Sequence, residues 1–392
     1  MSERALPLEG VKVVEFCQVA AGPFCAMLLA DFGADVVKVE NVEGGDGMRQ
    51  WPPLTSGFSE NFASLNRNKR SIALNLKAPE QREIALQLCR EANVVVENNR
   101  PGVMGRLGLG FDDIRHLNPS IIYASISGFG QIGPRSNEGG FDVTIQAISG
   151  IMSVTGEPDG GTVKCGVPVS DFATGLYAAF SIASALRQAE QEGFGRYIDV
   201  SLLGSSLGIS ALQTSEYFGT GVSPRKLGAA HPRNAPYQAF RAMDGSFVMA
   251  AGNDKLWVSV CDVVGLPELL ADARFGTNSL RAANQTALSA LLGDVFIARS
   301  VESWLDAFRA SGVPCAPIND FAAALADPQV AAMGWVERIT LPGGDTTDTF
   351  GCPVRLDGQS PHIRRGPPAL GEHTSEIMEA LQKAKKPERL AS

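Results

Sequence analysis

The stretch Gly10-Val11-Lys12-Val13-Val14-Glu15-Phe16-Cys17-Gln18-Val19-Ala20-Ala21-Gly22-Pro23, continued by Phe24 to Phe32, Gly33 and Ala34-Asp35-Val36-Val37-Lys38-Val39-Glu40, decides the fold. Its two Val-rich ends have the length and composition of strands. Between them Ala20-Ala21-Gly22-Pro23 makes a turn, with Pro23 where a helix begins. Phe24 to Phe32 reads as that helix and Gly33 as its stop. The unit is strand, helix, strand.

Outward from it the pattern repeats. A helix over 79–92 leads into the strand Asn93-Val94-Val95-Val96-Glu97, and Ile121 to Ser125 makes a fourth strand. Strands rich in Val and Ile, separated by helical stretches, predict an α/β protein with a parallel sheet covered on both faces. Downstream, 171–191 reads as a long helix, Tyr197-Ile198-Asp199-Val200 as a strand and 202–218 as another helix. Gly219 to Pro236, rich in Gly, Pro and Ala, reads as a linker. A smaller α/β pattern follows, with a strand from Ser246 to Ala251 and helices near 255–265, 285–297 and 302–311. The tail, 338–392, holds short strands, the turn Gly351-Cys352-Pro353 and a helix near 373–384.

Composition narrows the class. The 392 residues carry 42 Asp+Glu against 34 Lys+Arg, a formal net charge of −8, which argues against a nucleic-acid partner held by bulk electrostatics. An apolar share of 44% supports a substantial core, and a charged share of 19% argues against disorder. No apolar h-region follows Met1-Ser2-Glu3-Arg4 and no apolar run reaches spanning length, so a cytoplasmic protein with no membrane partner is expected. The seven cysteines are scattered, with no C-x-x-C, as in reduced proteins. The four histidines lack ligand spacing, and no metal is expected.

Four motifs bear on chemistry. The first turn, Gln18-Val19-Ala20-Ala21-Gly22-Pro23, has one glycine where a dinucleotide fingerprint needs three, so NAD is not expected and Glu40 reads as a solvated strand-end carboxylate. Asn66-Arg67-Asn68-Lys69-Arg70, with Lys77, Arg100 and Arg106 after it, is either a solvated basic face or part of a mouth for a phosphate-rich ligand. Asn98-Asn99-Arg100-Pro101-Gly102 directly follows a parallel strand, where open α/β sheets bind ligands. Asp171, in Gly166-Val167-Pro168-Val169-Ser170-Asp171-Phe172, stands at the start of the long helix. It is either a cap, held ionised by the helix dipole, or a nucleophile.

In this order, Leu8-Glu9-Gly10-Val11-Lys12-Val13, Ala21-Gly22-Pro23, Leu29 to Lys38, Asn68-Lys69-Arg70-Ser71, Val96-Glu97-Asn98, Pro101-Gly102, Gly195-Arg196, Asp199-Val200-Ser201 and Gly371-Glu372-His373-Thr374 resemble the class III CoA-transferases. This is the CaiB/BaiF type, which includes formyl-CoA transferase and carnitine CoA-transferase. The resemblance implies an interlocked homodimer of chains with a large Rossmann-like domain and a small one. The expected division is 1–218 as the first part of the large CoA-binding domain, 219–236 as linker, 237–330 as small domain and 331–392 as a return segment completing the large domain. Acyl-CoA and a small carboxylic acid are the implied substrates, with Asp171 as the catalytic aspartate. The implied CoA contacts are Ala20, Ala21, Asn41, Leu74, Asn75, Lys77, Asn98, Asn99, Arg100, Arg106, Gly139, Gly140, Phe141 and Asp142. Some formyl-CoA transferases carry an arginine where Asn41 stands and a lysine where Gly139 stands. Ala251-Gly252-Asn253-Asp254 is the nearest match to the glycine-rich lid of some members.

The acid is expected to meet Gln18, His231 and Arg233. Arg233 would clamp a second carboxylate, which points to a dicarboxylate acceptor and succinyl-CoA as donor. Two rivals share the scaffold. A 2-methylacyl-CoA racemase would carry a histidine at Phe141, which transfers no proton. A non-catalytic acyl-CoA-binding protein would keep the CoA turn and lose Asp171, which is present.

Overall fold

Six strands pair in parallel: β1 (Lys12–Phe16), β2 (Asp35–Glu40), β3 (Lys69–Ala73), β4 (Val94–Glu97), β5 (Ile122–Ser127) and β6 (Tyr197–Ser201). The computed structural model describes residues 5–389. Spatial order in the sheet is β3-β2-β1-β4-β5-β6, so the winding reverses between β1 and β4. That is the order of doubly wound nucleotide-binding folds, and the crevice at the carboxyl ends of β1 and β4 is where such sheets hold ligands.

Successive side chains of a strand face opposite sides, so the Val-rich runs feed two cores at once. Val13, Val36, Val94 and Val96 join Cys25, Leu29, Ala178 and Ile182 on one face. Val14, Val37, Val39 and Val95 join Leu88, Cys89, Ile377 and Leu381 on the other. The first helix runs Ala21–Asp31, so it opens two residues before Pro23, the residue read as its start; Gly33 follows at φ 111°. The long helix Val169–Glu192 is the one helix among the described residues long and apolar enough to cross a membrane, contrary to the sequence expectation. Its Ala173, Ala178, Ile182 and Leu186 are buried within this unit instead. Gly175 lets that helix approach the first one: a Cβ there would sit 2.8 Å from the Ala21 carbonyl oxygen. The helix expected over 202–218 is broken at Ser210 into Leu202–Ile209 and Ala211–Thr220.

The chain forms two compact units, one built from residues up to Ile151, Lys164–Gly221 and Gln329 onward, the other from Met152–Val163 and Val222–Pro328. Two expected boundaries are corrected. Residues 222–236, read as linker, belong to the second unit, and so does the short excursion 152–163. In the second unit the antiparallel strands Tyr237–Arg241, Ser246–Ala250 and Cys315–Pro317 pack on an aromatic core of Phe240, Phe247, Phe296, Trp304 and Phe308.

The largest correction concerns the basic run. Residues 69–73 are the edge strand β3, and the cations around it are neutralised inside the fold. Arg67 forms a two-pronged pair with Asp31 at 2.7 and 3.1 Å, Lys69 reaches Glu15 at 2.9 Å and Arg70 reaches Asp35 at 2.6 Å. Glu40 is not solvated either: it is buried, accepting from Arg49 at 2.6 and 2.8 Å and from Ser71 Oγ at 2.6 Å. The Gly371–Thr374 segment covers the β3 edge, with His373 N donating to Ser71 O at 2.9 Å and Gly371 N to Ser71 Oγ at 2.9 Å.

Arg67→Met removes one partner of a buried bidentate pair and strands the Asp31 charge. Such a loss costs roughly 3–5 kcal/mol. The expected outcome is a clearly lower urea midpoint; an unchanged midpoint contradicts the pairing.

Candidate active site

The cleft at the switch point is lined by Phe16, Cys17, Gln18 and Asn99 from the β1 and β4 ends, and by Asn41, Gly45, Asp46 and Leu74 to Lys77 from the β2 and β3 ends. Its empty space is about 710 Å³ including the open mouth, within the range of small-molecule sites. Six sequence candidates therefore meet in one place: Gln18, Asn41, Leu74, Asn75, Lys77 and Asn99. Their roles differ. Leu74 is buried floor, while Lys77 is exposed. Asn41 and Asn75 shape their own loops, accepting from Glu43 N and Lys77 N at 3.1 Å each. Asn99 bonds Phe16 O at 3.1 Å.

Asn98, expected to touch CoA, uses both ends of its amide on the chain itself. It accepts from Gln18 N at 2.9 Å and donates to Gln18 O at 2.8 Å. Lys77, Arg100 and Arg106 are exposed and, among the described residues, make no ion pair. Of the six basic residues read as a possible phosphate mouth (Arg67, Lys69, Arg70, Lys77, Arg100 and Arg106), these last three remain available to an anion. Arg100 lies along the backbone of Gly139, where a Cβ would stand 3.4 Å from its guanidinium. Gly140 meets Gly128 so closely that a Cβ on it would fall 2.6 Å from Gly128 Cα. Ala20 and Ala21 are buried at the opening of the first helix, which has no side-chain cap.

Asp171 is not the helix cap. The helix begins at Val169 after Pro168, and Asp171 lies within the first turn, its side chain bonded to no backbone amide. It stands four residues before Gly175, and residues four apart share a helix face. The face that meets the first helix at Ala21 thus carries Asp171 one turn away, and the rings of Phe172 and Phe24 lie 4.8 Å apart beside it. Burial and then the neighbouring charge of Asp142 push the Asp171 carboxyl up to about 7, outweighing the helix start expected to keep it ionised.

Asp142, counted among the CoA contacts, braces this corner instead. Its two oxygens accept from Ser170 N at 2.9 Å and Gln146 Nε2 at 2.7 Å. Ser170 Oγ accepts from Ser206 Oγ at 2.8 Å, which ties in the next helix. The amides of Val169 and Ser170 are both occupied, by Val167 O and Asp142, so they are not open to an oxyanion. Phe141 is exposed beside Asp142, with no titratable atom to offer.

His231 and Arg233 belong to the second unit. His231 Nδ1 accepts from the backbone amides of Arg233 and Asn234, both at 3.1 Å, and burial together with Arg233 lowers its pKa, so the ring is neutral at pH 7. Ala251 to Asp254 is the entry to a helix, with Asn253 accepting from Leu256 N at 2.9 Å and Asp254 paired to Arg281 at 2.8 Å. Sequence reasoning missed Asp46 and Gly45 in the cleft wall; the Gly44-Gly45 pair after β2 was the available sign of a tight turn there.

A doubly wound sheet with a cleft at its switch point defines a ligand-binding α/β protein, and the comparisons name the family. The sequence profile of CoA-transferase family III matches residues 8–374. The chain is similar to the succinyl-CoA:glutarate CoA-transferase of Homo sapiens, 40% identical over 376 residues, covering 96% of this chain and 86% of that protein. It is also similar to the succinate–glutarate CoA-transferase of Agrobacterium fabrum, 38% identical over 391 residues and 97% of each. Among solved structures, a CaiB/BaiF family protein from Brucella suis superposes with a TM-score of 0.86 at 39% identity, over 96% of this chain and 100% of that one. The chain belongs to CoA-transferase family III and is a class III CoA-transferase.

The Asp171 carboxyl has a sign-defined effect on stability. Its folded pKa lies above the unfolded value near 3.8, so its contribution is intact below pH 4 and is lost as pH rises through about 7. Asp171→Asn is therefore expected to raise Tm above wild type at pH 8, with the gap closing toward pH 4. Equal Tm values across that range contradict the shift.

Proposed function

We propose that this enzyme transfers CoA between succinyl-CoA and a small dicarboxylate through covalent intermediates on Asp171. The observation that carries this reading is the placement of Asp171: half-buried, uncapped, drawn toward neutral pH, and on the helix face that meets the first turn. The dicarboxylate class is supported by the succinate and glutarate relatives.

In the proposed sequence the ionised Asp171 oxygen attacks the thioester carbonyl, the C–S bond breaks, and CoA leaves as thiolate. The resulting mixed anhydride is attacked at the Asp171 carbonyl by that thiolate, which releases the donor acid and leaves an aspartyl-CoA thioester. The acceptor carboxylate then displaces the thiolate, forming a second anhydride. Thiolate attack on the acceptor carbonyl yields the new acyl-CoA and frees Asp171. Covalent steps of this kind divide one difficult exchange into easier ones. Limited access of water supports the reading twice, since it strips solvation from a weak nucleophile and protects the anhydride.

Lys77, Arg100 and Arg106 are the proposed contacts for CoA phosphates, with Ala20, Ala21 and Asn99 along the cofactor's path. Gln18, in the cleft wall, is proposed for the acid. The proposed assembly is an interlocked homodimer in the cytoplasm. Exposed Leu176, Tyr177 and Phe180 on the long helix support a partner surface, and seven free cysteines support a reducing compartment. A racemase reading finds only Phe141 where a second proton carrier would be needed.

Incubation with succinyl-CoA and a panel of mono- and dicarboxylates, scored for new thioesters, tests the substrate class; product with monocarboxylates alone overturns it. Mass spectrometry of the reacting enzyme should place the added mass on Asp171, and Asp171→Ala should lose at least about a thousandfold in kcat, as expected when a covalent nucleophile is removed. An adduct elsewhere sinks the mechanism. Because the nucleophile must be ionised, kcat/KM should fall about tenfold per pH unit below pH 7. Asp142→Asn should move that limb to lower pH, since a like charge is removed; an unmoved limb refutes the coupling.

A further inference from the structure

The turn joining β1 to the first helix is held in a conformation its own residues do not favour. Val19 has φ 66°, in the left-handed region, where a β-branched residue is a clear outlier. Two side chains from the loops that follow β2 and β4 fasten it. The Val19 N–H is shared between both oxygens of Asp46, at 3.1 and 3.2 Å. One residue earlier, Asn98 holds Gln18 on both backbone groups, at 2.9 and 2.8 Å. Three consecutive polar groups of the turn are thus bonded to side chains rather than to a helix or a ladder.

Asp46 is itself firmly placed. It is 1% exposed, its Oδ2 lies 3.0 Å from Lys38 Nζ, and its Oδ1 accepts from Met48 N at 3.0 Å. Lys38 is fully buried and also bonds Glu15 at 3.0 Å and the Cys17 carbonyl at 2.8 Å. The clamp is therefore anchored to the sheet. The turn it holds faces reaction machinery on both sides. Gln18 and Asp46 line the cleft, and Val19 packs in the same apolar cluster as Phe172, the residue after Asp171.

We propose that Asp46 and Asn98 are positioning residues of the transfer site: they impose the left-handed Gln18–Val19 turn, which fixes Gln18 and the opening of the first helix against the acyl-CoA and Asp171. This rests on the CoA-transfer reading above. Its physical sense is preorganisation, in which a site held near productive geometry before substrate arrives loses less on binding and reacts faster. A plain alternative exists. Asp46 does balance Lys38, since Glu15 is shared between Lys38 and Lys69, but charge balance alone does not require both Asp46 oxygens to meet Val19 N–H.

Glycine enters the left-handed region freely, and this separates the two roles. The experiment is a double-mutant cycle with Asp46→Asn and Val19→Gly, read as kcat and KM for succinyl-CoA and as CoA affinity by calorimetry. Asp46→Asn in the wild-type background should lower kcat/KM at least about tenfold, as expected for a displaced site residue. On top of Val19→Gly the same change should cost less than about threefold, because the turn no longer needs forcing. Equal losses in the two backgrounds, or full activity of Asp46→Asn, overturn the proposal. Should Asp46→Asn fail to fold, the cycle is run with Asn98→Ala, which leaves every buried charge in place, and is judged by the same ratio. The two readings fail differently. Wild-type protein that neither binds nor exchanges CoA sinks the function and this proposal together, whereas normal wild-type exchange with equal losses sinks the positioning alone.

Discussion

The contact on which the site depends is the buried pair of Glu15 and Lys38, residues directly opposite each other on β1 and β2 and 3.0 Å apart. Two charges in the interior gain little net stability, because desolvation offsets most of their attraction. What they supply is specificity. A one-residue slip of one strand would turn its charge to the opposite face and leave both charges buried without their partner, so the pair fixes the register of the central strands. From it a chain of contacts runs outward: Glu15 to Lys69 on β3, Lys38 to Asp46, Asp46 N to Glu40, and Glu40 to Arg49 and Ser71. Burial would lower the Lys38 pKa, but Glu15 and Asp46 outweigh it and keep the ammonium charged. Asp46 and Glu40 are held below their ordinary values despite burial, the first chiefly by Lys38 and the second by Arg49.

Asp171 obeys the opposite rule. It has a like charge for a neighbour and no cation, so burial and Asp142 act in the same direction. The fold thus contains carboxylates of two kinds. Asp46 and Glu40 are paired, ionised and structural; Asp171 is unpaired and poised near neutrality. Environment, not residue type, sorts them.

The first strand–helix–strand unit, β4, β5, the long helix and β6 were legible because each depends on local pattern. The Val runs announce strands buried on both faces, and Gly33 marks the helix stop. Elsewhere local reading failed for a common reason. Arg67, Lys69 and Arg70 form the densest basic run in the chain, but Arg67 meets an aspartate 36 residues earlier and Lys69 a glutamate on another strand. Density of charge says nothing about partners brought by the fold. Glu40 misled in the same way, since Arg49 and Ser71 reach it from outside its strand. The segment 152–163 carries the loop signal Gly156-Glu157-Pro158-Asp159-Gly160-Gly161, but nothing in it says that it joins the second unit. Asn98 and Asp142, expected as CoA contacts, have side chains that hold the protein's own backbone.

By itself the sequence determined the α/β class, the parallel sheet, the family resemblance and the choice of Asp171 as the residue to watch. These follow from periodicity, turn residues and motif order, which are properties of neighbours along the chain. Only the tertiary structure decided which charges are paired and which are free, that Asp171 is no cap, and that the first turn is clamped by Asp46 and Asn98. Those outcomes depend on distances between residues far apart in sequence. Burial, the energy of a charge and the strain at Val19 arise from those distances alone.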